Sequence, residues 1–230
     1  MKIRCLVTAA MVVSCCSTVW AAPKDEVANL LANSKPAVVT FSDGQNTWSG
    51  QTEAVSLFNG GKAVIVHAKF LTLDTDGAST EIRACDHSAK AGTALPDLKG
   101  NPTDANEIPY FVLPWCGGAA NQTKCEKNSA YRQLGLQKGD LAAVISGDKL
   151  AFAIAADVGP EKQFGEGSVE LHRQLGHETV GKKVGNPTCA INESTSSEVF
   201  LVVFPKSNSK WLSPEEIKNK GAVLWNALLQ

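Results

Sequence analysis

Apolar residues fall along this chain in short blocks separated by glycine, proline and aspartate, the spacing of strands joined by tight turns. Residues 54–58, 63–73, 141–145, 150–156 and 198–204 are rich in Val, Ile, Leu and Phe, and residues 37–41 and 108–113 are blocks of the same kind. Ser146-Gly147-Asp148 lies between two of these runs and predicts a hairpin. Helix signals are fewer. Residues 168–175 carry Val169, Leu171 and Leu175 ahead of Gly176, which suits a C-terminal cap. Ser213-Pro214-Glu215-Glu216 supplies an N-cap, a proline in the first turn and two acids at the positive end of the dipole. That helix is expected to run towards Leu229, and residues 23–32 predict a third, short one. The balance predicts a mostly β fold with a few short helices. Residues 86–107 show no period and are dense in Gly, Pro and Asp, so they read as a long surface loop over one end of the fold.

The first 21 residues follow a different logic. Lys2 and Arg4 precede an apolar stretch, and Val19-Trp20-Ala21 offers small or aliphatic residues where a signal peptidase reads. The run is too short for a membrane span. Residues 1–21 are therefore expected to be a secretory signal, and 22–230 a single domain. Val12-Val13-Ser14-Cys15 also fits a lipoprotein box loosely, which would tether the chain through Cys15.

Export changes how the cysteines and charges are read. Cys5, Cys15 and Cys16 fall in the signal, leaving Cys85, Cys116, Cys125 and Cys189. An even count in an oxidising compartment favours two disulfides over a zinc site, and no C-x-x-C occurs. Pairing Cys116 with Cys125 would close a small loop and Cys85 with Cys189 would staple distant segments; this is one of three connectivities. Losing Lys2 and Arg4 takes the formal charge from −1 to −3. Nothing in that balance suggests nucleic acid.

The candidate chemistry lies in the carboxylates. A long apolar run leads straight into Asp157-Val158-Gly159-Pro160, and Glu166 follows nine residues later in Gly165-Glu166-Gly167-Ser168. A chain that doubles back there faces two acids across a cleft. Cleaving a glycosidic bond requires one carboxyl to protonate the leaving oxygen and a second to activate water or attack the sugar. The preferred assignment makes Glu166 the general acid and Asp157 the general base. Asp74 and Asp76 sit in an Asp-x-Asp-Gly turn; Ala78 and Ser79 fail the spacing of a calcium loop, so the functional reading is an acidic wall that attracts a cationic polymer. Tyr110 and Trp115 are the aromatics expected to face sugar rings, if any does, and Phe111 is expected inside. Glu161 lies between the two principal acids and reads as solvated or as an auxiliary contact. His172 and His177 form no zincin motif, and no cofactor is expected.

Four segments occur in a telling order: Leu73-Asp74-Thr75-Asp76-Gly77-Ala78, Ile108-Pro109-Tyr110-Phe111-Val112-Leu113-Pro114, the run 139–145, and the Asp157…Gly165-Glu166 pair. Together they resemble the fungal-type chitosanases of glycoside hydrolase family 75, over about residues 55–205. The resemblance implies inverting, endo-acting hydrolysis of chitosan, with Asp157 and Glu166 as the essential acids and no cofactor. This chain has a shorter Asp-to-Glu interval than the fungal relatives and Gly167 where Ala is common. A second resemblance concerns architecture. Asp157-Val158-Gly159-Pro160 followed by Gly-Glu-Gly-Ser is similar to the signature of double-psi β-barrels, which implies a six-stranded double-psi-like barrel. The principal expectation is thus a secreted, monomeric endo-chitosanase with a polysaccharide partner. The competing readings are a peptidoglycan-acting lytic transglycosylase, which would rely on Asp157 alone, and a non-catalytic expansin-like binding module.

Overall fold

The computed structural model describes residues 21–86, 88–115, 129–183, 186–190, 194–195 and 197–230. The signal-like segment up to residue 20, the lipoprotein cysteine Cys15 and the proposed Cys116–Cys125 pair lie outside the described residues. Strands dominate. In chain order the elements are α1 (Pro23–Ala32), β1 (Ser34–Pro36), β2 (Thr52–Phe58), β3 (Ala63–Ala68), β4 (Thr72–Asp74), α2 (Thr80–Arg83) and β5 (Tyr110–Pro114). They continue with α3 (Ala130–Gln133), β6 (Leu141–Ser146), β7 (Lys149–Gly159), β8 (Glu166–Ser168), α4 (Val169–Gln174), β9 (Val180–Lys183), β10 (Asn186–Ala190), β11 (Val199–Phe204) and α5 (Pro214–Leu228).

Nine strands form one sheet in the order β1-β2-β3-β11-β6-β7-β5-β8-β4, and β9 and β10 make a separate hairpin. The expected six-stranded double-psi barrel is not what this pairing gives. The sheet has nine strands, and among the described residues no pairing joins β1 to β4. The turn signature at residues 157–160 reported a local strand exit, and that feature does not determine how distant strands pair.

The central strands are buried on both faces, which is why they read as unbroken apolar runs. Their side chains alternate between two cores with the period of a pleated strand. Ile65, Ala143, Ile145, Ile154, Val202 and Phe204 share one core with Val27 and Leu30 of α1 and Ile217 and Trp225 of α5. Val64, Val66, Val144, Ala153, Leu201 and Val203 share the other with Tyr131, Phe164 and Leu171. Helix α5 begins with a full capping box, Ser213 and Glu216 each bonding the other's backbone N–H. It presents Ile217, Gly221 and Trp225 at four-residue intervals.

Two predicted strands come out differently. Residues 37–41 are a loop, although Val39 and Phe41 are buried. The backbone of Thr40 bonds the side-chain amide of Gln133, at 3.0 Å through its N–H and 2.8 Å through its carbonyl, so no strand is needed beside it. The run 63–73 is two strands that lie far apart in the sheet. Between them, Lys69 N–H donates to Gln51 (2.9 Å), Leu71 N–H donates to the Thr195 hydroxyl (2.7 Å), and the Leu71 carbonyl accepts from Thr195 N–H (2.9 Å). These bonds turn the chain from the centre of the sheet to its edge. The expected Cys85–Cys189 disulfide is present, with its Cα atoms 5.5 Å apart, and it fastens the end of α2 to β10.

Candidate active site

The acids are gathered by strand register. Across the sheet run β7, β5, β8 and β4, with β5 parallel to β7 and β4 parallel to β8. Phe111 pairs with Ala155 but Val112 pairs with Asp157, so β7 carries one extra residue there, Ala156. Such a bulge puts two consecutive residues on one face. The carbonyl of Ala156 turns to accept from Leu95 N–H at 2.8 Å. Asp157 is thereby carried onto the face of Val112 and Tyr110, where uninterrupted alternation would have set it opposite. On the other side of β5, Gly167 pairs with Phe111, Glu166 with Thr72 and Ser168 with Asp74. Gly167 faces Leu171 and Leu71, which crowd the place a Cβ would take, with their nearest atoms 2.8 and 3.1 Å from it. That contact accounts for glycine at this position. It also leaves Glu166 and Asp74 on the same face as Asp157.

The Ser168 hydroxyl locks this corner. It donates to the Ile108 carbonyl (2.7 Å) and accepts from Tyr110 N–H (3.0 Å) and Leu171 N–H (3.1 Å), joining β8, β5 and the N-terminus of α4. Gly159 supplies clearance, since a Cβ there would sit 3.0 Å from Glu166 Oε2.

The result is a cleft of about 280 Å³ lined by Asp74, Asp76, Asp157, Glu166, Val112 and, from the loop beyond α2, Asp86 and Lys90. The floor is rigid. Asp157 Oδ1 accepts from Ala94 N–H (3.0 Å) and Val158 N–H (2.8 Å). Asp74 Oδ1 accepts from Asp76 N–H (2.9 Å), Asp76 Oδ1 accepts from Lys90 N–H, and the Asp76 and Asp157 carboxyls bond each other. Asp74, Asp76 and Asp157 each bring a carboxylate oxygen within 4.8 Å of the others. Oxygens at that spacing suit a hard cation by distance, and they suit shared protons equally.

Burial and mutual repulsion set how these acids hold their protons. Burial pushes the Asp157 carboxyl up to about 7, and the neighbouring Asp76 adds to the rise while the Val158 and Ala94 amides oppose it. Burial likewise raises Asp74 well above the carboxylate range, reinforced by Asp157, Asp76 and Glu166. Glu166 is raised by burial and by Asp76, and the Lys90 charge counters this.

Of the residues singled out in the sequence, Asp157, Glu166, Asp74 and Asp76 meet in this cleft. Tyr110 takes a supporting place. It is fully buried, and its hydroxyl donates to the Asp76 carbonyl at 3.0 Å, so it presents no bare ring to a sugar. Trp115 stacks on Tyr131 outside the cleft lining, with ring centroids 6.2 Å apart. Glu161 accepts from the backbone and the hydroxyl of Ser42 and does not line the cleft. Asp86, Lys90 and the Ala94 amide were not singled out, because the segment that carries them has no periodicity from which to infer an inward side.

A family model described as fungal chitosanase of glycosyl hydrolase group 75 matches residues 71–222, a span that contains every acid of the cleft. A search of the curated proteins finds no match.

Proposed function

The chain belongs to the chitosanases of glycosyl hydrolase group 75 and is a glycoside hydrolase, and from that premise we propose that it cleaves β-1,4 linkages within chitosan by inversion, using Asp157 and Glu166. The observation that carries this reading is their placement on one face of β7 and β8, on either side of Val112 in a single acidic cleft. One strand lies between theirs, so two interstrand steps of about 4.8 Å separate their backbones. Inversion needs roughly 6.5–9.5 Å between the two carboxyls, room for a water, where a covalent intermediate needs roughly 5 Å, and an intervening strand is the arrangement that leaves such room.

The environments divide the labour. Asp157, pushed up to about 7, holds its proton and suits the general acid, while Glu166, with the Lys90 charge nearby, suits the base that activates water. This reverses the preference drawn from the sequence, where burial was not visible. Asp74 and Asp76 form the wall that meets the polymer: Asp74, kept protonated by burial, offers hydrogen bonds, and Asp76, whose bond from Lys90 N–H favours the carboxylate, supplies the charge that draws a cation. The amino-terminal segment directs export, and among the described residues no helix is long and apolar enough to cross a membrane.

The test is reducing-end release from soluble chitosan, with chitin and peptidoglycan alongside, for wild type, Asp157→Asn and Glu166→Gln. The expected result is rapid shortening of chitosan, a first-formed α-anomer by NMR, and a kcat loss of about 10²–10⁴-fold in each folded variant, the range of acid–base catalysis. Anhydro products from peptidoglycan, with Glu166→Gln still active, would instead support transglycosylase chemistry.

A further inference from the structure

Five carboxylates line the cleft, and one cation stands among them at its lining, Lys90. Its backbone is fixed. Lys90 N–H donates to Asp76 Oδ1, and the Lys90 carbonyl accepts from Gly77 N–H at 3.1 Å. The turn it bonds to is equally fixed. Gly77 has φ +75°, and a Cβ there would fall 2.2 Å from the Thr103 carbonyl oxygen, so the position admits only glycine. The lysine side chain therefore leaves a defined point on the cleft wall. Its ammonium makes no ion pair within 4.0 Å of a carboxylate among the described residues, although its charge acts on both Asp76 and Glu166.

A cation in that place does nothing to attract a chain of glucosammonium units. Each such unit carries its charge at C2, where an N-acetylated unit carries a neutral amide with a carbonyl acceptor. We infer that Lys90 is a specificity-determining residue: the sugar seated against it is N-acetylglucosamine, selected because an ammonium is repelled there and an acetamido carbonyl can accept from the lysine. The cleft thus combines acids that accept free amines with one cation that favours an acetylated unit at the subsite it borders. This rests on the chitosanase reading and names the substrate pattern for the same site.

The experiment digests randomly N-acetylated chitosan with wild type, Lys90→Gln and Lys90→Arg, and identifies the sugar at both newly formed ends by mass spectrometry. Fully deacetylated chitosan is run in parallel. Lys90 is exposed and its fixed contacts are backbone ones, so both variants are expected to fold. Wild type is expected to leave one of the two new ends enriched in N-acetylglucosamine. Lys90→Gln is expected to lower that enrichment about fivefold and to raise the rate on deacetylated chitosan by a similar factor, the size of a like-charge repulsion between water-screened charges a few ångströms apart. Lys90→Arg keeps the charge and is expected to keep the bias. Identical end composition in wild type and Lys90→Gln overturns the inference, as does a Lys90→Gln variant altered only in its pH profile. If wild type shortens no chitosan at all, the fault lies with the hydrolase reading itself.

Discussion

Asp157 shows how a single side chain trades stability for reactivity. Its folded-state pKa is raised to about 7, so between the ordinary carboxylate range and about pH 7 the native protein binds more protons than the unfolded chain. This group's contribution to stability is therefore largest at low pH and falls as pH rises through that window. Asparagine at the position keeps an oxygen for the Ala94 and Val158 amides and offers Asp76 an N–H donor. Asp157→Asn is accordingly expected to lower kcat by about 10²–10⁴-fold while stabilising the fold by about 1–2 kcal/mol near pH 8, an advantage that shrinks towards pH 5. Thermal unfolding of both proteins across that range checks the sign, and a variant destabilised at pH 8 would contradict it. Asp157 and Glu166 could be picked out in the sequence because each ends or begins an element beside glycines. The bulge at Ala156 could not, since one extra residue in a strand changes the facing of every side chain after it without changing composition. Tyr110 shows the opposite failure. Its aromaticity suggested sugar stacking, but its position opposite Ile154 inside the sheet buries it, and its hydroxyl reaches the site through the backbone of Asp76.

Elements were readable where local signals agree with packing. Helix α5 is the clearest case, with its cap, proline and acids at one end and a stripe of Ile217, Gly221 and Trp225 along one side. Gly221 is the informative member. A Cβ there would lie 2.6 Å from Phe152 Cδ1 of β7, so glycine sets how closely helix and sheet approach. Gly221→Ala gains roughly 1 kcal/mol of helix propensity and meets a contact that packing resolves only by moving a ring or the helix. The net expectation is a destabilisation of about 1–3 kcal/mol by urea unfolding, opposite to the sign that propensity alone gives. Strand ends were harder to read, and for a common reason. Hydrophobic periodicity records which face is buried, not which partner supplies the hydrogen bonds. At 37–41 Val55, the Gln133 side chain and Gln45 each bond one residue, and at 69–71 Gln51 and Thr195 supply the bonds. Strand β8 was hidden inside what reads as a turn because its three residues are Glu, Gly and Ser.

At the scale of the whole molecule, Cys85–Cys189 ties together segments 104 residues apart, just before the irregular stretch that lays Lys90 and Ala94 on the cleft acids. Closing a loop of that length is worth up to about 4–5 kcal/mol through the unfolded chain. The double variant Cys85→Ser, Cys189→Ser is expected to lose about 2–5 kcal/mol of stability and, under conditions where it remains folded, to show a lower kcat. Guanidinium unfolding and steady-state kinetics on the same preparation separate the two effects; unchanged kcat would mean that the amides at Asp76 and Asp157 hold without the staple.

The middle of the sheet belongs to the end of the chain. Strand β11, residues 199–204, lies between β3 and β6, and among the described residues no other strand pairing joins β1-β2-β3 to β6-β7-β5-β8-β4. A nascent polypeptide that stops short of Phe204 holds two half-sheets, each with an open apolar margin, the template on which chains pair wrongly with one another. Every acid of the cleft has by then been synthesised, and the strands that carry them lie in the half-sheet whose β6 edge still lacks its partner. The two halves of the sheet are thus joined last, by a strand made wholly of valine, leucine and phenylalanine.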